Sequence, residues 1–566
     1  MKVSQVIATY LKSRNVSRVY GLCGGHIQPL WDEIARQGLQ IVDVRDEKAA
    51  VHMAQAQAEL TGETGVALVT AGPGFTNAIT GIANAFVSRV PVLVITGSPP
   101  LPQRGKGALQ EVDQINIVGP VTRYAQMVTS PQDALTHLEK AFVVANGHSG
   151  ESGPVVVDFP TDVLRATIHI PTGCFNPVQK EQTDKNDCAP ENIRAATELI
   201  WSAKHPVVIT GRGAVNAGHE LVALLDVLGC AYLDTAESRG LIPGSHPSFM
   251  PSMRGRLMSE ADLIITLGRS LDFQLAYGSP AVFKNAKFVR IGTSDAEVRK
   301  NRPGDTEIFG PVGEALKAIV KLAGSRKPAV DPEWIGALQN EDRKRREAFE
   351  QRLRETPHGK DGAMHPYRLL GEIKRNLTRD AIVVADGGDI LSFARQAFSE
   401  RTYLDSGPFG CLGVGTPYGI SAALAFPDRQ VIVVTGDGAF GFNAMELDTC
   451  RRMSAKVVFV VANNAAWNIE RQDQLINYDE HLVGVDLENC DYAALARSMG
   501  LHAQHVSDPD LLSDALAKAF DRAPALLDVT VTRDAASPDF LSGIAAVPDL
   551  QALSRWDEME RKKDKE

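Results

Sequence analysis

Residues 429–464 read RQVIVVTGDGAFGFNAMELDTCRRMSAKVVFVVANN, and this stretch decides the fold class. Its two apolar runs, VIVVTG and KVVFVVAN, predict buried strands, and the segment between them is long enough for a crossover helix. Buried strands joined by helices form parallel, doubly wound sheets, so the chain is predicted to be an α/β protein. Gly436-Asp437-Gly438 ends the first strand and Asn463-Asn464 ends the second, with 26 residues between Asp437 and Asn464.

These two strand ends predict a metal site. Open α/β sheets bind ligands at the carboxyl ends of their strands. Mg²⁺ prefers hard oxygen ligands and shares its coordination shell with phosphates and water. Asp437, the amide oxygen of Asn464 and a nearby carbonyl would supply the protein ligands. The alternative is two ordinary strand-end turns, since Asp-Gly is common in turns.

Outward from this stretch, the chain divides into three α/β units. Apolar runs such as RVYGL, VALVT and VLVIT near the N-terminus, HPVVIT, ADLIITLG and KFVRIG in the middle, and AIVVAD before the opening stretch all predict strands. A Pro-, Asp- and Lys-rich segment near residues 165–192 predicts a linker. The predicted domains are 1–165, 190–325 and 363–535, followed by a tail at 536–566.

Composition excludes several classes of protein. The chain has 566 residues, 44% hydrophobic and 23% charged, which is too apolar for a disordered chain. Its net charge of -10 offers no basic field for nucleic acid or an anionic membrane. No apolar run reaches the ~20 residues of a membrane span. Seven cysteines without CxxC pairs and an N-terminus without a signal-peptide core lead us to expect a cytoplasmic protein with free thiols.

GDG followed at this distance by NN resembles the diphosphate-binding motif of thiamine diphosphate-dependent enzymes, and the likeness extends over nearly the whole chain. The resemblance implies three doubly wound parallel-sheet domains: pyrimidine-binding, middle and diphosphate-binding. It implies thiamine diphosphate as cofactor, with Mg²⁺ held by Asp437, Asn464 and the backbone carbonyl of Ala466. It also implies a homodimer or homotetramer with active sites between subunits, Glu47 coming from one and Asp437 from the other.

Glu47 is the principal catalytic candidate. In VDVRDEKAAVHMA it follows a strand and opens a helix, and it matches the glutamate that contacts N1′ of the cofactor's aminopyrimidine in the similar enzymes. A carboxylate there promotes the imino tautomer, which takes the proton from thiazolium C2. The alternative is a first-turn glutamate favoured by the helix dipole.

The resemblance assigns further cofactor contacts to strand ends and glycine-rich turns. In particular, Gly410 would accept from the 4′-amine, and Leu412 would lie under the cofactor and force its V shape. The full set of further contacts is Gly25, Gly72, Asn77, Gly388, Asp389, Gly410, Leu412, Gly436, Gly438, Ala439, Trp467 and Ile469.

Three residues are predicted near the reacting carbon. His26 in GGHI and Gln110 in ALQE match loops similar to those of benzaldehyde lyase, and would move protons and hydrogen-bond substrate oxygens. Glu470 would assist proton transfer on the thiazolium side. The alternatives are a strand-end histidine that satisfies backbone groups, a surface glutamine, and a glutamate paired with Arg471 or a lysine.

The segments LDSGPFGCLGVG and GDGAFGFNAMELDT look like those of 2-hydroxyacyl-CoA lyases and oxalyl-CoA decarboxylases. This likeness implies cleavage of a 2-hydroxyacyl-CoA to an aldehyde or ketone plus formyl-CoA. The sequence departs from those enzymes after Asn464, where it runs Ala-Ala-Trp-Asn-Ile-Glu470 and those enzymes more often carry Gly and Tyr. Two alternatives stay open: a benzaldehyde-lyase-like or acetolactate-synthase-like carboligase acting on free 2-hydroxyketones or 2-keto acids, and a catalytically silent cofactor-binding regulator.

Three other segments carry weaker signals. Gly211-Arg-Gly-Ala resembles a dinucleotide-binding turn, and a CoA nucleotide, but not FAD, is predicted there. The charged segment 341–355 is interpreted as a solvated linker helix rather than an anion-binding patch. The tail with Arg555 and Trp556 is similar to C-terminal lids of bacterial 2-hydroxyacyl-CoA lyases, although a dangling charged helix fits equally well.

Overall fold

A computed structural model describes residues 1–148, 150–170, 175, 188–399 and 401–541. The described residues form three parallel β-sheets, two of six strands and one of five, with helices between the strands. The predicted fold class is therefore confirmed. The three sheets lie inside the three predicted domain ranges.

The N-terminal sheet has the strand order β2-β1-β3-β4-β6-β5. Its strands are β1 (Arg18–Gly21), β2 (Gln40–Asp43), β3 (Gly65–Val69), β4 (Val92–Ser98), β5 (Tyr124–Met127) and β6 (Val155–Pro160). The helices of this part are α1 (Val3–Ser13), α2 (Gln28–Arg36), α3 (Glu47–Thr61), α4 (Pro73–Val87), α5 (Gln114–Val118), α6 (Ala134–Ala145) and α7 (Thr161–Arg165).

The middle sheet has the order β11-β10-β9-β7-β8. Its strands are β7 (Pro206–Thr210), β8 (Ala231–Leu233), β9 (Leu263–Leu267), β10 (Lys287–Gly292) and β11 (Thr306–Phe309). The helices are α8 (Pro190–Ser202), α9 (Gly218–Leu228), α10 (Arg254–Glu260), α11 (Asp295–Val298), α12 (Val312–Ala323) and the long α13 (Pro332–Glu355).

The C-terminal sheet has the order β13-β12-β14-β15-β17-β16, which repeats the order of the N-terminal sheet strand for strand. This shared topology indicates two related halves that flank a middle domain. Its strands are β12 (Ile382–Asp386), β13 (Thr402–Leu404), β14 (Val431–Gly436), β15 (Val457–Asn463), β16 (His502–Val506) and β17 (Ala525–Thr530). The helices are α14 (Pro366–Asn376), α15 (Asp389–Ala397), α16 (Gly415–Ala425), α17 (Asp437–Gly441), α18 (Glu446–Arg452), α19 (Asn468–Asn477), α20 (Tyr492–Ser498), α21 (Leu512–Asp521) and α22 (Pro538–Leu541).

Helix α3 joins the N-terminal and C-terminal domains. Asp46 caps its start by accepting from the Lys48 amide, and Gly62 ends it in the left-handed conformation that glycine favours. Its middle is buried on all sides because it packs between α4 and α16, so one apolar core spans both domains. The same helix opens with Glu47, whose position is therefore fixed by interdomain packing.

All of the strands predicted from the sequence are present. The strands that were not predicted are mainly short or polar. Edge strands β5 and β16 carry half-buried polar residues because one side of each faces solvent. Helix α13 begins nine residues before the predicted charged segment at 341 and buries Trp334, Ile335 and Leu338.

No disulfide joins the described cysteines, and no described helix has the length and apolarity to cross a membrane. Arg555 and Trp556 lie outside the described residues.

Candidate functional site

The carboxyl ends of β12 and β14 face a cavity of about 430 Å³. These neighbouring strands form the switch point of the C-terminal sheet, since the chain runs from β12 to one side and from β14 to the other. Ligands bind at such points in open α/β sheets. Every candidate site residue predicted in the C-terminal domain lines this cavity: Gly388, Asp389, Gly410, Leu412, Gly436, Asp437, Gly438, Ala439, Asn464, Ala466, Trp467, Ile469 and Glu470.

Asp437 has the environment of a cation ligand. Its side chain is buried, and its Oδ2 atom has no hydrogen-bond partner in the described part of the chain. Burial raises the pKa of Asp437 to about 6, although the backbone amides of Asn464 and Ala466 oppose that rise. A divalent cation would supply the missing counter-charge, and a buried carboxylate without one is costly.

The turn after β15 carries the other predicted metal ligands, Asn464 and Ala466. The side-chain oxygen of Asn464 accepts from the amide of Ala466 at 3.1 Å, and Ala465 adopts a left-handed φ of 51°. Hydrogen bonds from Leu487 to the Ala465 carbonyl and from Trp467 to the Val485 carbonyl fix this turn. In the described residues no group of three or more His, Cys, Asp or Glu could hold a metal. One carboxylate with neutral oxygens suits Mg²⁺ that shares its shell with phosphates.

Close packing explains two glycines of the cavity wall. A Cβ atom on Gly438 would lie 2.4 Å from the Trp467 ring, and one on Gly388 would lie 2.9 Å from Ile469. Glycine at these positions lets the aromatic and aliphatic side chains approach the backbone, so the strand ends remain open to a ligand.

Asp389 adds a second buried carboxyl group. Its Oδ2 accepts from the Asn468 amide at 2.9 Å, whereas its Oδ1 has no partner among the described residues. Burial, together with the nearby charge of Asp437, raises the pKa of Asp389 to about 6. Two carboxyl groups that oppose each other's ionisation favour a nearby cation.

Asp386, at the end of β12, holds the loop that carries Leu412. Its two carboxylate oxygens accept from the amides of Gly413 at 3.1 Å and Gly415 at 2.8 Å, while Asn443 donates to the Gly413 carbonyl. Leu412 therefore enters the cavity from a fixed backbone. Sequence reasoning missed Asp386, whose signal was a charged residue at the end of an otherwise apolar strand.

In the N-terminal domain, Glu47 lies beside α4. Asn77 donates from Nδ2 to Glu47 Oε2 at 3.1 Å, and a Cβ on Gly74 would lie 2.9 Å from Glu47 Oε1. The structure thus brings together Glu47 and Asn77, both predicted to contact the pyrimidine. Gly25 lies in an exposed turn with open space around it.

His26 and Gln110 also meet, since the side chain of Gln110 faces the His26 ring. Burial lowers the pKa of His26 and Gln110 only partly opposes this shift, so the neutral form of the ring is favoured. Gln110 adopts a left-handed φ of 62° and packs against Gly72, where a Cβ would lie 2.7 Å from the Gln110 carbonyl oxygen. The unusual backbone brings Gln110 close to Gly72, its fellow candidate.

Within one chain, the N-terminal candidates do not line the 430 Å³ cavity. Its described lining residues come from the C-terminal domain and, through Phe273 and Gln274, from the middle domain. Glu470 does line the cavity, and its neighbour Arg471 pairs with Asp486 instead. The alternative of a Glu470–Arg471 pair is therefore not supported.

The middle sheet's switch point is filled by the chain's own charged side chains. The amide of Arg212, in the predicted nucleotide turn, donates to Glu237 at 3.3 Å. A Cβ on Gly213 would lie 2.7 Å from a Glu297 oxygen, and one on Gly211 would lie 2.5 Å from Arg269. These side chains occupy the space beside the turn, and the nucleotide predicted there stays a prediction.

A second cavity, of about 700 Å³, lies between the middle and C-terminal domains. It shares Phe273, Gln274, Arg395 and Asp539 with the first cavity, so the two adjoin. Three carboxylates line it, Asp234, Glu350 and Asp539, against seven cations: Arg239, Arg254, Arg345, Arg346, Arg352, Lys374 and Arg395. Three of those cations come from the segment interpreted as a solvated linker, where the arginine run was the overlooked signal.

Comparison with known proteins agrees with this geometry. The chain matches the thiamine pyrophosphate enzyme N-terminal TPP binding domain over residues 1–117, the central domain over 193–319 and the C-terminal TPP binding domain over 386–529. It is 31% identical to 2-hydroxyacyl-CoA lyase 2 of Caenorhabditis elegans, covering 92% of this chain and 87% of that protein. Human 2-hydroxyacyl-CoA lyase 2 is 29% identical, over 96% and 91% of the two chains.

Another relative carries a different name at the same level of similarity. Acetolactate synthase large subunit IlvG of Mycobacterium tuberculosis is 31% identical, over 95% of this chain and 97% of that protein. Both kinds of relative align with most of this chain and differ in the reactions that their names state. Fold, site geometry and whole-length similarity together establish that this chain belongs to the thiamine pyrophosphate-dependent enzymes.

Proposed function

We propose that this enzyme is a thiamine diphosphate- and Mg²⁺-dependent lyase that cleaves a 2-hydroxyacyl-CoA to an aldehyde or ketone plus formyl-CoA. The observation that carries the proposal is the cation-lined cavity that adjoins the cavity at the ends of β12 and β14. Relatives named 2-hydroxyacyl-CoA lyase 2 support it. In the reaction the bond between C1 and C2 breaks, the hydroxyl group loses its proton, and the acyl carbon gains one, so no oxidant is needed.

The residues at the strand ends fit the cofactor. Asp437, with its unpartnered oxygen, Asn464 and the carbonyl of Ala466 would hold Mg²⁺, and Gly388 and Gly438 would give the diphosphate access to the backbone. When bound, thiamine diphosphate supplies a thiazolium ring that accepts the electron pair of the broken bond.

The chain's own side chains would handle the protons. Glu47, held by Asn77, would bind a proton at N1′ of the pyrimidine. His26, neutral because of burial, can accept the substrate's hydroxyl proton, while Gln110 donates a hydrogen bond to a substrate oxygen. Glu470, exposed at the cavity, would return a proton to the acyl carbon.

The 700 Å³ cavity suits the phosphates of CoA. Several of its cations have internal partners: Arg395 pairs with Asp405, and Arg345 with Glu341. Arg352 instead stacks over the Tyr367 ring, 5.8 Å from its centroid, which leaves guanidinium donors for a phosphate. A free 2-hydroxyketone or 2-keto acid is too small to need this second cavity.

The single-chain geometry supports a site shared between subunits. Glu47 and Asn77 lie outside the cavity that contains Asp437, and the surface near Gln110 exposes 79% of Leu109. We propose that a second copy of the chain covers this surface and places its Glu47 against the cavity. The protein would then be at least a homodimer.

The direct test is a substrate comparison with purified protein, thiamine diphosphate and Mg²⁺. We expect 2-hydroxyacyl-CoAs to give formyl-CoA, detected by mass spectrometry, and benzoin-type ketols and pyruvate to react poorly. Turnover of pyruvate to acetolactate without formyl-CoA would favour the acetolactate synthase alternative, which the Mycobacterium relative supports. If Glu47→Ala left the thiamine-dependent activity unchanged, this result would favour the alternative in which the site is catalytically silent.

Arg352→Gln tests the second cavity. Losing one charge-assisted contact of about 1.5–3 kcal/mol should raise KM for the acyl-CoA about tenfold or more and change kcat little. Arg343→Gln is the matched control, since Arg343 lies on the same helix outside this cavity. Equal effects of both substitutions would contradict the assignment.

A further inference from the structure

Helix α18 of the C-terminal domain contacts the turn that precedes Glu47. Glu446, the first residue of α18, is 1% exposed. Its Oε1 accepts from two consecutive amides, Arg45 at 2.9 Å and Asp46 at 3.1 Å, while its Oε2 accepts from the Thr449 hydroxyl at 2.6 Å. Both carboxylate oxygens are therefore in use, and the two amides belong to the residues directly before Glu47.

Other contacts of the same helix hold the turn from its other end. Arg452 donates to the Asp43 carbonyl at 2.8 Å and forms an ion pair with the Asp43 carboxylate at 2.6 Å. Burial raises the pKa of Glu446 to about 7, although its hydrogen bonds to Thr449, Arg45 and Asp46 favour the ionised form. A carboxylate that is costly to bury is thus placed against two backbone amides, which an apolar side chain would leave without an acceptor.

We propose that Glu446 is a positioning residue that fixes the backbone from which Glu47 reaches the pyrimidine. The inference rests on the proposed role of Glu47. Asp46 caps α3, and Glu47 is its first residue. A carboxylate that accepts hydrogen bonds from the amides of residues 45 and 46 therefore sets both the start and the direction of the helix. Misplacing a catalytic group by about 1 Å can cost 10²-fold in rate.

The structural alternative is that Glu446 merely joins two domains. The two roles differ in what they move. A joining residue changes the thermal midpoint and the yield of folded protein but leaves kcat per folded site unchanged. A positioning residue changes kcat and the local protection of residues 45–47, even in protein that remains folded.

The test compares Glu446→Leu, Glu446→Asp and Glu446→Gln with wild type. Leucine cannot accept a hydrogen bond, and the shorter aspartate moves its carboxylate away from the two amides. Both variants should therefore lower kcat about tenfold or more and change KM for thiamine diphosphate by less than threefold. Glutamine keeps a carbonyl oxygen toward the two amides and a group that bonds Thr449, so kcat should recover to within about threefold of wild type. Because aspartate retains the charge, its variant keeps the test available if leucine prevents folding.

A second readout needs no cofactor. Hydrogen–deuterium exchange of the apo-protein, followed by mass spectrometry, should show faster exchange in the peptide spanning 43–48 for the leucine and aspartate variants. Arg451→Gln is the matched control on the same helix, because the exposed side chain of Arg451 lies beside Gly500 rather than beside the turn before Glu47. Unchanged exchange and unchanged kcat in both Glu446 variants would overturn the inference.

Glu47→Gln separates the positioning role of Glu446 from the proposed function. If this variant loses activity while Glu446→Leu and Glu446→Asp keep theirs, the positioning role is wrong and the proposed function stands. If Glu47→Gln keeps full kcat, the proposed role of Glu47 is wrong, and the positioning role has no catalytic group to act on.

Discussion

At the scale of single residues, the site is marked by buried polar atoms that lack partners. Asp437 Oδ2 and Asp389 Oδ1 are such atoms in the described part of the chain, and burial raises the pKa of both carboxyl groups to about 6. Buried polar groups are nearly always satisfied in folded proteins. Two such carboxyl oxygens at one switch point support the proposed Mg²⁺ site.

Asp437→Asn should separate metal binding from folding. The substitution removes a buried charge, so we expect the thermal midpoint of the apo-protein to stay the same or rise. Wild type should gain about 2.7 kcal/mol when Mg²⁺ and thiamine diphosphate are present at about 100 times Kd, and the variant should gain almost nothing. Thermal scans with and without both ligands check this. A variant that keeps the full ligand-induced shift would remove Asp437 from the metal site.

At the scale of elements, the site depends on how strand ends hold loops. Asp386 ends β12 and accepts two amides of the loop that carries Leu412. Burial raises the pKa of Asp386 to about 6, although those amides favour its ionised form. The loop Gly407–Gly415 thus depends on a side chain from a neighbouring element, and Leu412 depends on the loop.

Asp386→Ala should disorder this loop. Each buried amide left unsatisfied costs about 1–3 kcal/mol, so we expect a lower thermal midpoint and at least tenfold weaker binding of thiamine diphosphate. Asp386→Asn keeps one acceptor oxygen and should fall between alanine and wild type. Asp380→Ala, at an exposed position shortly before the same strand, is the control. Isothermal titration measures the affinity, and wild-type binding by the alanine variant would refute the role of Asp386.

At the scale of the whole molecule, active sites and stability both depend on contacts between domains. A buried ionic network joins the N-terminal and middle domains: Arg89 contacts Glu237 and Glu297, and Arg212 contacts Glu59. The same network fills the crevice where related folds bind nucleotides. The middle domain is therefore tied to the N-terminal domain at this point, and the proposed CoA site is the cavity on its other boundary.

Mixed subunits test the shared site. Glu47→Ala and Asp437→Ala should each be inactive as pure oligomers. After co-refolding or co-expression at equal amounts, about a quarter of the wild-type sites should return, since half of the dimers are mixed and each holds one intact site. Activity measured on the mixture checks this, with separately prepared variants combined without exchange as the control. No recovery after exchange would show that both residues act within one chain.

The pH dependence of stability tests the network. Burial disfavours the charge of Glu237, but Arg89, Arg269 and Arg212 outweigh it and lower the pKa of Glu237 to about 2. The folded pKa lies below the unfolded value of about 4.3, so the stabilisation is complete above that value and is lost as the pH falls toward 2. We expect Glu237→Gln to be less stable by about 3 kcal/mol at pH 7, and the difference to shrink below pH 4. Thermal midpoints from pH 7 to pH 3 measure it; a constant difference would contradict the assignment.

The sequence by itself determined the parallel-sheet fold and the C-terminal half of the candidate site. Apolar runs that end in GDG, NN and DGGD place their polar residues at one edge of a sheet, because parallel strands point the same way. The order of residues along the chain was sufficient to predict this edge. It did not predict the roles of Asp386 and Glu446 or the cation-lined cavity, because these depend on contacts between elements that are distant in sequence. Three features became visible only in the tertiary structure. Glu446 accepts hydrogen bonds from the turn before Glu47, ion pairs fill the Gly211 turn, and the arginines of α13 face a cavity. Packing rather than local sequence pattern decides which charges become buried together.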